Sequence, residues 1–258
     1  MSLKVLSYLN FVINSKNHHG VHSPFVFDFV TKSLYKKGDK KELKLFYDYR
    51  KNLLSNTSII EVKDFGAGSK IFNSNLRKVS KIAKHAGISK KRGNLLFNLI
   101  EYFQPKNILE IGTSLGISTS VLSIAAPESN IITIEGCKTT ASIAKQEFDK
   151  YHLKNIELKI GDFNTSLPQI FKKQKFDLIY FDGNHTRKAT LDYFNQSLQS
   201  IHNDSVLIFD DIHWSKEMEK AWEEIKAHEI TKVTIDTFQW GIVFFRKEQE
   251  KEHFIIRV

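Results

Sequence analysis

The stretch ILEIGTSLGIST, residues 108–119, decides the fold. It begins as a short apolar run, passes through a turn that contains Gly112 and Gly116, and continues with the periodicity of a helix. Glycines at a strand-to-helix turn let the backbone approach a ligand, and the start of a helix favours an anionic group. We therefore expect a strand, a ligand-binding turn and a helix in this order.

The same alternation continues towards the C-terminus. Apolar runs of five to seven residues alternate with helical stretches, which predicts a doubly wound α/β fold with a mostly parallel sheet and helices on both faces. These runs are IITIE (131–135), IELKI (156–160), FDLIYFD (176–182) and SVLIFD (205–210). The runs TKVTIDTF and WGIVFFR then follow with almost nothing between them, which predicts an antiparallel hairpin. The final run, FIIRV, is expected to add an edge strand or a tail.

Composition excludes several classes of protein. The chain has 258 residues, no run of eighteen apolar residues and one cysteine, Cys137. A disulfide framework, a cysteine zinc site and a transmembrane helix are therefore not expected, and neither is a membrane partner. The N-terminal stretch lacks a small-residue cleavage site, so we interpret it as a helix and expect a cytoplasmic protein.

Charge divides the chain. Residues 1–93 contain 19 Lys and Arg and 6 Asp and Glu, a balance of +13, whereas residues 94–258 have a balance of −4. We expect a basic helical N-terminal extension over residues 1–90, serving as a lid or for acceptor or oligomer contacts, and a ligand-binding domain over residues 91–258. The basic region could meet nucleic acid, an anionic surface or an acidic substrate, or be a solvated surface without a partner. Its glycine-rich stretch VKDFGAGSK (62–70) lacks a flanking strand and helix and is interpreted as a surface turn or lid.

Three carboxylates end consecutive strands of the predicted sheet. Glu110 lies in the first strand, Glu135 ends the second and Asp162 follows the third. Open α/β sheets bind ligands at the carboxyl ends of their strands, and a carboxylate after the second strand can accept hydrogen bonds from both hydroxyls of a ribose. All three residues are therefore candidate ligand contacts.

A second acidic group follows the fourth and fifth strands. Asp182 ends one strand, and Asp210 and Asp211 end the next. If these carboxylates converge, they suit a hard divalent cation with oxygen ligands, Mg²⁺, Ca²⁺ or Mn²⁺. Such a cation can lower the pKa of a substrate hydroxyl. The alternative is an acidic rim without a metal.

The motifs ILEIGTSLGIST, ITIEG, IGDFNTSLPQI and FDLIYFDGNH together resemble the class I S-adenosylmethionine-dependent methyltransferases over residues 91–248. The resemblance implies a seven-stranded sheet with an antiparallel last strand and S-adenosylmethionine as the cofactor. It further implies that Gly112 and Gly116 line the methionine part, that Ser118 binds its carboxylate, that Glu135 binds the ribose and that Asp162 binds the adenine.

The acidic residues are similar to those of metal-dependent O-methyltransferases of the catechol and caffeoyl-coenzyme A type. Those enzymes carry an Asp-Asn pair after the fifth strand, and Asp211 departs from that pattern. An acidic pair after the fifth strand resembles instead that of the macrolide-sugar O-methyltransferases. In those enzymes an aspartate is followed three residues later by a histidine base. Asp182 and His185 have this spacing, so we take them as candidate catalytic residues, with His185 as the general base.

The leading functional prediction is a methyltransferase that modifies a hydroxylated small molecule or sugar with the help of a divalent cation. One alternative is an RNA methyltransferase that grips RNA through the basic N-terminal region. Another is a binding protein that kept the fold without turnover. A homodimer is a further expectation for a chain with a helical extension.

Overall fold

A computed structural model describes residues 3–37, 40–63, 68, 72 and 74–258 of the chain. The helices in chain order are α1 (Leu3–Asn14), α2 (Pro24–Phe29), α3 (Leu43–Ser55), α4 (Val79–His85), α5 (Lys90–Phe103), α6 (Ile117–Ala125), α7 (Lys138–Lys150), α8 (Phe163–Lys173), α9 (Arg187–Ser197) and α10 (Lys216–Ala227). The strands are β1 (Ile59–Glu61), β2 (Leu76–Lys78), β3 (Asn107–Ile111), β4 (Asn130–Glu135), β5 (Ile156–Ile160), β6 (Leu178–Phe181), β7 (Val206–Asp210), β8 (Val233–Asp236), β9 (Trp240–Phe244) and β10 (Glu252–Ile255).

The chain forms two compact units. The central unit is Lys36–Ser166, and the terminal unit combines Met1–Tyr35 with Leu167–Val258. The predicted division into an N-terminal extension (1–90) and a ligand-binding domain (91–258) stays a prediction. In the described residues, no helix is both long and apolar enough to cross a membrane.

The central unit contains a parallel three-stranded array in the order β3-β4-β5. Glu110 of β3 lies opposite Thr133 of β4 in this register. Helices α6 and α7 connect the strands, as expected for parallel pairs. A separate antiparallel hairpin of β1 and β2 belongs to the same unit. This hairpin was not predicted, because strands of three residues are too short to show an alternating pattern.

The terminal unit has five strands in the order β10-β8-β9-β7-β6. Strand β9 runs antiparallel to both β7 and β8, whereas β10 runs parallel to β8. The α/β prediction is confirmed, and the seven predicted strands correspond to β3–β9. The antiparallel strand is β9, and the last strand in the chain, β10, adds the edge that FIIRV suggested.

Local sequence explains where the helices begin. The hydroxyls of Ser89, Thr186 and Ser215 each accept a hydrogen bond from a backbone N–H in the first turn of α5, α9 and α10. These caps satisfy donors that a helix start otherwise leaves without a partner. Strands β6 and β7 are buried along their whole length, which is why they read as continuous apolar runs.

Candidate active site

The turn after β3 has the backbone geometry that its glycines allow. Gly112, Ser114 and Gly116 have φ angles of 104°, 50° and 73°. The N–H groups of Gly112 and Thr113 both donate to the carbonyl of Ile134, at 3.0 and 3.1 Å. The turn is thus fastened to β4, and the start of α6 follows immediately after it.

Gly116 is required by its neighbours as well as by its φ angle. A Cβ atom at this position would lie 2.5 Å from the ring of Phe148 and 2.7 Å from the hydroxyl of Tyr49. That hydroxyl donates to the carbonyl of Leu115 at 2.9 Å. The bare backbone of Gly116 therefore allows an aromatic pair to pack directly beneath the turn.

The carboxylate of Glu135 stands at the end of β4 and holds two loops. It accepts a hydrogen bond from the backbone N–H of Ser114 at 2.7 Å and another from Cys137 at 2.8 Å. Burial raises the pKa of Glu135, and the backbone hydrogen bonds oppose this shift. Hydrogen bonds from the Thr140 side chain and the Gly136 backbone also lower this pKa, so Glu135 is held by several groups of its own unit.

Glu110, in contrast, lies in the interior. Its carboxylate accepts hydrogen bonds from the hydroxyls of Ser118 at 2.6 Å, Thr133 at 2.7 Å, and Thr119. Complete burial raises the pKa of Glu110 to about 7, although the three hydroxyls act against that shift. Glu110 thereby joins β3, β4 and α6. The cofactor contacts predicted for Glu110 and Ser118 stay predictions, since the Ser118 hydroxyl is already donated to Glu110.

Asp162 is exposed just after β5, where its carboxylate accepts the backbone N–H of Asn164 at 2.8 Å.

A cavity of about 600 Å³ lies in the central unit and includes the residues directly after Glu135. It is lined by Glu61, Val62, Lys63, Asn75, Gly136, Cys137, Lys138 and Thr139. This volume is within the range that small ligands occupy. Most of the glycine-rich stretch 62–70, interpreted above as a surface turn or lid, lies outside the described residues.

In the terminal unit, Asp182 and His185 form a pair. The Nε2 atom of His185 lies 3.8 Å from Oδ1 of Asp182, and both side chains are mostly buried. Between them, Asn184 adopts a left-handed backbone with φ of 52°, and its carbonyl accepts the N–H of Thr186 at 2.6 Å. This tight turn brings the histidine back towards the aspartate that precedes it by three residues.

Asp210 is the last residue of β7, and Asp211 follows it directly. The buried carboxylate of Asp210 accepts the backbone N–H of Asp211 at 2.8 Å and faces the hydroxyl of Tyr180 at 3.4 Å. Over the described part of the chain, no three His, Cys, Asp or Glu side chains are grouped so that they could hold a metal ion. The three aspartates therefore do not form a preassembled cation site, and the predicted metal stays a prediction.

His213, which follows the aspartate pair and is a candidate for lining the acceptor pocket, is paired with two carboxylates that the sequence did not predict. Its Nε2 lies 2.9 Å from Asp236 and its Nδ1 lies 3.1 Å from Glu219, while its ring stacks on Phe238. Burial lowers the pKa of His213, but the two carboxylates outweigh burial and raise it overall. No motif signals this arrangement, because Asp236 comes from a strand more than twenty residues later in the chain.

The comparisons with known proteins bear on the same region. Residues 109–212 match the family model described as "Methyltransferase domain". The match covers 104 of the 258 residues, less than half of the chain. The matched segment, called the methyltransferase domain below, begins within β3 and ends just after Asp211, and it includes the glycine turn, Glu135, Asp182 and His185.

Curated relatives of the methyltransferase domain match part of their own length. A catechol O-methyltransferase of Niastella koreensis is 28% identical over 129 residues, covering 48% of this chain and 58% of the relative. A protein-L-isoaspartate O-methyltransferase of Trichlorobacter lovleyi is 33% identical over 75 residues, covering 29% and 34%. The chain therefore spans little more than half of the first relative and about a third of the second.

Solved structures share the fold of the methyltransferase domain. An SAH-bound methyltransferase of Podospora anserina superposes with a TM-score of 0.62 at 14% identity, covering 84% of this chain and 92% of that one. An O-methyltransferase of Bacillus cereus in complex with SAH gives 0.57 at 20% identity, covering 86% and 97%. The predicted resemblance to class I methyltransferases is confirmed.

Proposed function

We propose that this chain transfers a methyl group from S-adenosylmethionine to a hydroxyl oxygen of a small acceptor. The observation that carries the proposal is the bond from the Ser114 N–H to Glu135, which joins the glycine turn to the acidic end of β4 within the methyltransferase domain. The name of one relative, a catechol O-methyltransferase, supports a hydroxylated acceptor.

The residues of the central unit fit the proposed cofactor. Glu135 ends β4, where we propose that its carboxylate binds the ribose hydroxyls, and Asp162 is exposed after the next strand, where we propose that it binds the adenine. The cavity beside Glu135 would receive the nucleoside. We assign the methionine part to the backbone of Gly112 and Gly116.

The carboxylate of the cofactor suits the start of α6. The first N–H groups of a helix lack acceptors within the helix, and the helix dipole favours an anion there. We propose that Ser118 contributes its backbone N–H, because its hydroxyl already serves Glu110. Glu110 then acts indirectly, by holding the turn and α6 in position.

The proton of the acceptor is the one that the chain itself must remove. Bound S-adenosylmethionine would supply an electrophilic methyl group on a sulfonium, and the neutral thioether that leaves needs no acid. We propose that His185 accepts the acceptor proton at Nδ1, since Asp182 faces Nε2 and favours a proton there. Asp182 also stabilises the imidazolium that results.

The divalent cation stays a prediction from the resemblance, with Asp182, Asp210 and Asp211 as its proposed ligands. In the described part of the chain, no three His, Cys, Asp or Glu side chains are grouped so that they could hold a metal ion. We therefore assign no step of the reaction to a cation. The roles of His185 and Asp182 can be tested without assuming one.

The test is methyl transfer itself. The full chain is incubated with S-adenosylmethionine labelled on its methyl group and with a panel of phenols, catechols and sugars. We expect a labelled methyl ether from at least one acceptor, and its formation should be blocked by S-adenosylhomocysteine. A chain that binds neither the cofactor nor S-adenosylhomocysteine would contradict the proposal.

A further inference from the structure

The first helix of the terminal unit has an unusual composition. The sequence of α1, LKVLSYLNFVIN, contains no acidic residue, and its apolar residues do not lie on a single face. Because a helix turns through 100° per residue, Ser7 and Phe11 lie on one side, and Val5, Leu9 and Ile13 lie on the other. The two sides meet different surroundings.

The inner side of α1 is fastened to the terminal unit. The hydroxyl of Ser7 donates to Glu219 at 2.5 Å, and the rings of Tyr8 and Phe11 contact Phe238 with centroid distances of 5.0 and 5.4 Å. Just after the helix, the N–H of Lys16 donates to the carbonyl of Ile255 at 2.8 Å. These contacts fix which side of α1 points away from the unit.

The outer side is an exposed apolar stripe. Its members are Val5, Leu6, Leu9 and Ile13, which are 45%, 52%, 46% and 80% exposed. They cover an arc of about 100° without a charged side chain among them. Contiguous apolar surface of this kind on a fixed helix indicates an interaction site.

We propose that this stripe docks α1 in the plane of an anionic lipid surface. A helix of this kind inserts its apolar side at the boundary between headgroups and acyl chains, and neighbouring cations add attraction to anionic lipids. The cations are present: Lys16 and Arg257 are both exposed, and the N–H of Arg257 donates to the carbonyl of Lys16 at 3.3 Å. The proposal goes beyond the methyl transfer and departs from the expectation that the chain has no membrane partner.

Two other occupants fit the stripe less well. A stable dimer needs about 800 Å² and twenty or more residues on each side, and four side chains supply much less. A nucleic acid is bound through its phosphates, which gain nothing from the four exposed apolar side chains of the stripe. A lipid surface requires only a few inserted side chains, which α1 offers, and nearby cations, which Lys16 just after the helix and its backbone partner Arg257 supply.

The experiment is co-sedimentation of the full chain with vesicles. Vesicles of phosphatidylcholine alone are compared with vesicles in which about a third of the lipid is phosphatidylglycerol. The test variant is Ile13→Glu, and the matched control is Asn14→Glu, which adds the same charge to the same helix at an exposed position off the stripe. Light scattering without lipid gives the mass of each variant in solution.

We expect the chain to sediment with the vesicles that contain phosphatidylglycerol more strongly than with vesicles of phosphatidylcholine alone. Ile13→Glu should weaken this binding about tenfold more than Asn14→Glu, because only the former removes an inserted side chain. Absence of sedimentation, or equal losses in the two variants, would overturn the proposal. A dimer in solution that Ile13→Glu converts to a monomer would also overturn it and assign the stripe to a second copy of the chain.

Discussion

The carboxylate of Glu135 accepts a 2.7 Å hydrogen bond from the backbone N–H of Ser114, across 21 positions of the chain. Its other oxygen accepts the N–H of Cys137, so one side chain holds the turn after β3 and the turn after β4. Ser114 has a left-handed backbone with φ of 50°, which aims its N–H at this carboxylate. The shape of the proposed cofactor site therefore depends on Glu135 even before a ligand binds.

The packing beneath the glycine turn predicts a stability effect. Gly116→Ala would force a Cβ atom to within 2.5 Å of Phe148 and 2.7 Å of Tyr49 at a φ of 73°. We expect the free energy of unfolding to fall by about 1–3 kcal/mol, measured by urea denaturation. Gly161→Ala is the control, since its Cβ atom would meet only the hydroxyl of Ser166 at 3.0 Å. Equal effects of the two substitutions would contradict the packing role of Gly116.

Glu110 predicts a pH dependence of stability. Burial raises its pKa from 4.5 to about 7, so the folded chain holds this proton more tightly than the unfolded chain. Its contribution is therefore full below pH 4.5 and is lost as the pH rises through about 7, a change of about 3 kcal/mol. Glu110→Gln does not titrate at this position. Between pH 5 and pH 8 the natural chain should therefore lose free energy of unfolding that the variant keeps. Parallel pH profiles would argue against a protonated Glu110.

The pair of His185 and Asp182 predicts a loss of rate without a loss of cofactor affinity. With an acceptor from the screen, His185→Ala should lower kcat by about 10²–10⁴-fold, the usual effect of removing a general base. Calorimetry should show unchanged binding of S-adenosylmethionine. His202→Ala is a matched control, because His202 pairs with Asp177 at 3.0 Å and has no proposed role in the chemistry. A variant at His185 that keeps full kcat would exclude it as the base.

The predicted cation has its own test. If Asp182, Asp210 and Asp211 bind Mg²⁺, calorimetry should record a binding heat that disappears in Asp210→Asn/Asp211→Asn, which keeps the size of both side chains. The exposed Asp192→Asn on α9 should leave the heat intact. A natural chain without any Mg²⁺ heat, with and without S-adenosylmethionine, would reject the cation at these residues.

The sheet could be predicted because buried parallel strands consist of unbroken apolar runs, as in β6 and β7. The interior role of Glu110 could not be predicted in the same way. A carboxylate in such a run suggests a ligand contact, and only the register that places Glu110 opposite Thr133 shows the hydroxyls that satisfy it. Likewise, the pattern of α1 indicates a helix but not which side is fastened, since this depends on Glu219 and Phe238, distant in the chain.

The most direct test of the central claim is calorimetry of S-adenosylmethionine binding to the natural chain and to Glu135→Ala. Glu135→Ala removes a charged acceptor of the proposed ribose contact, so affinity should fall about 10–100-fold, whereas the exposed Glu128→Ala should bind like the natural chain. Circular dichroism of each variant verifies that the fold is retained. If the natural chain does not bind the cofactor, or if a folded Glu135→Ala binds it equally well, the proposed site is contradicted.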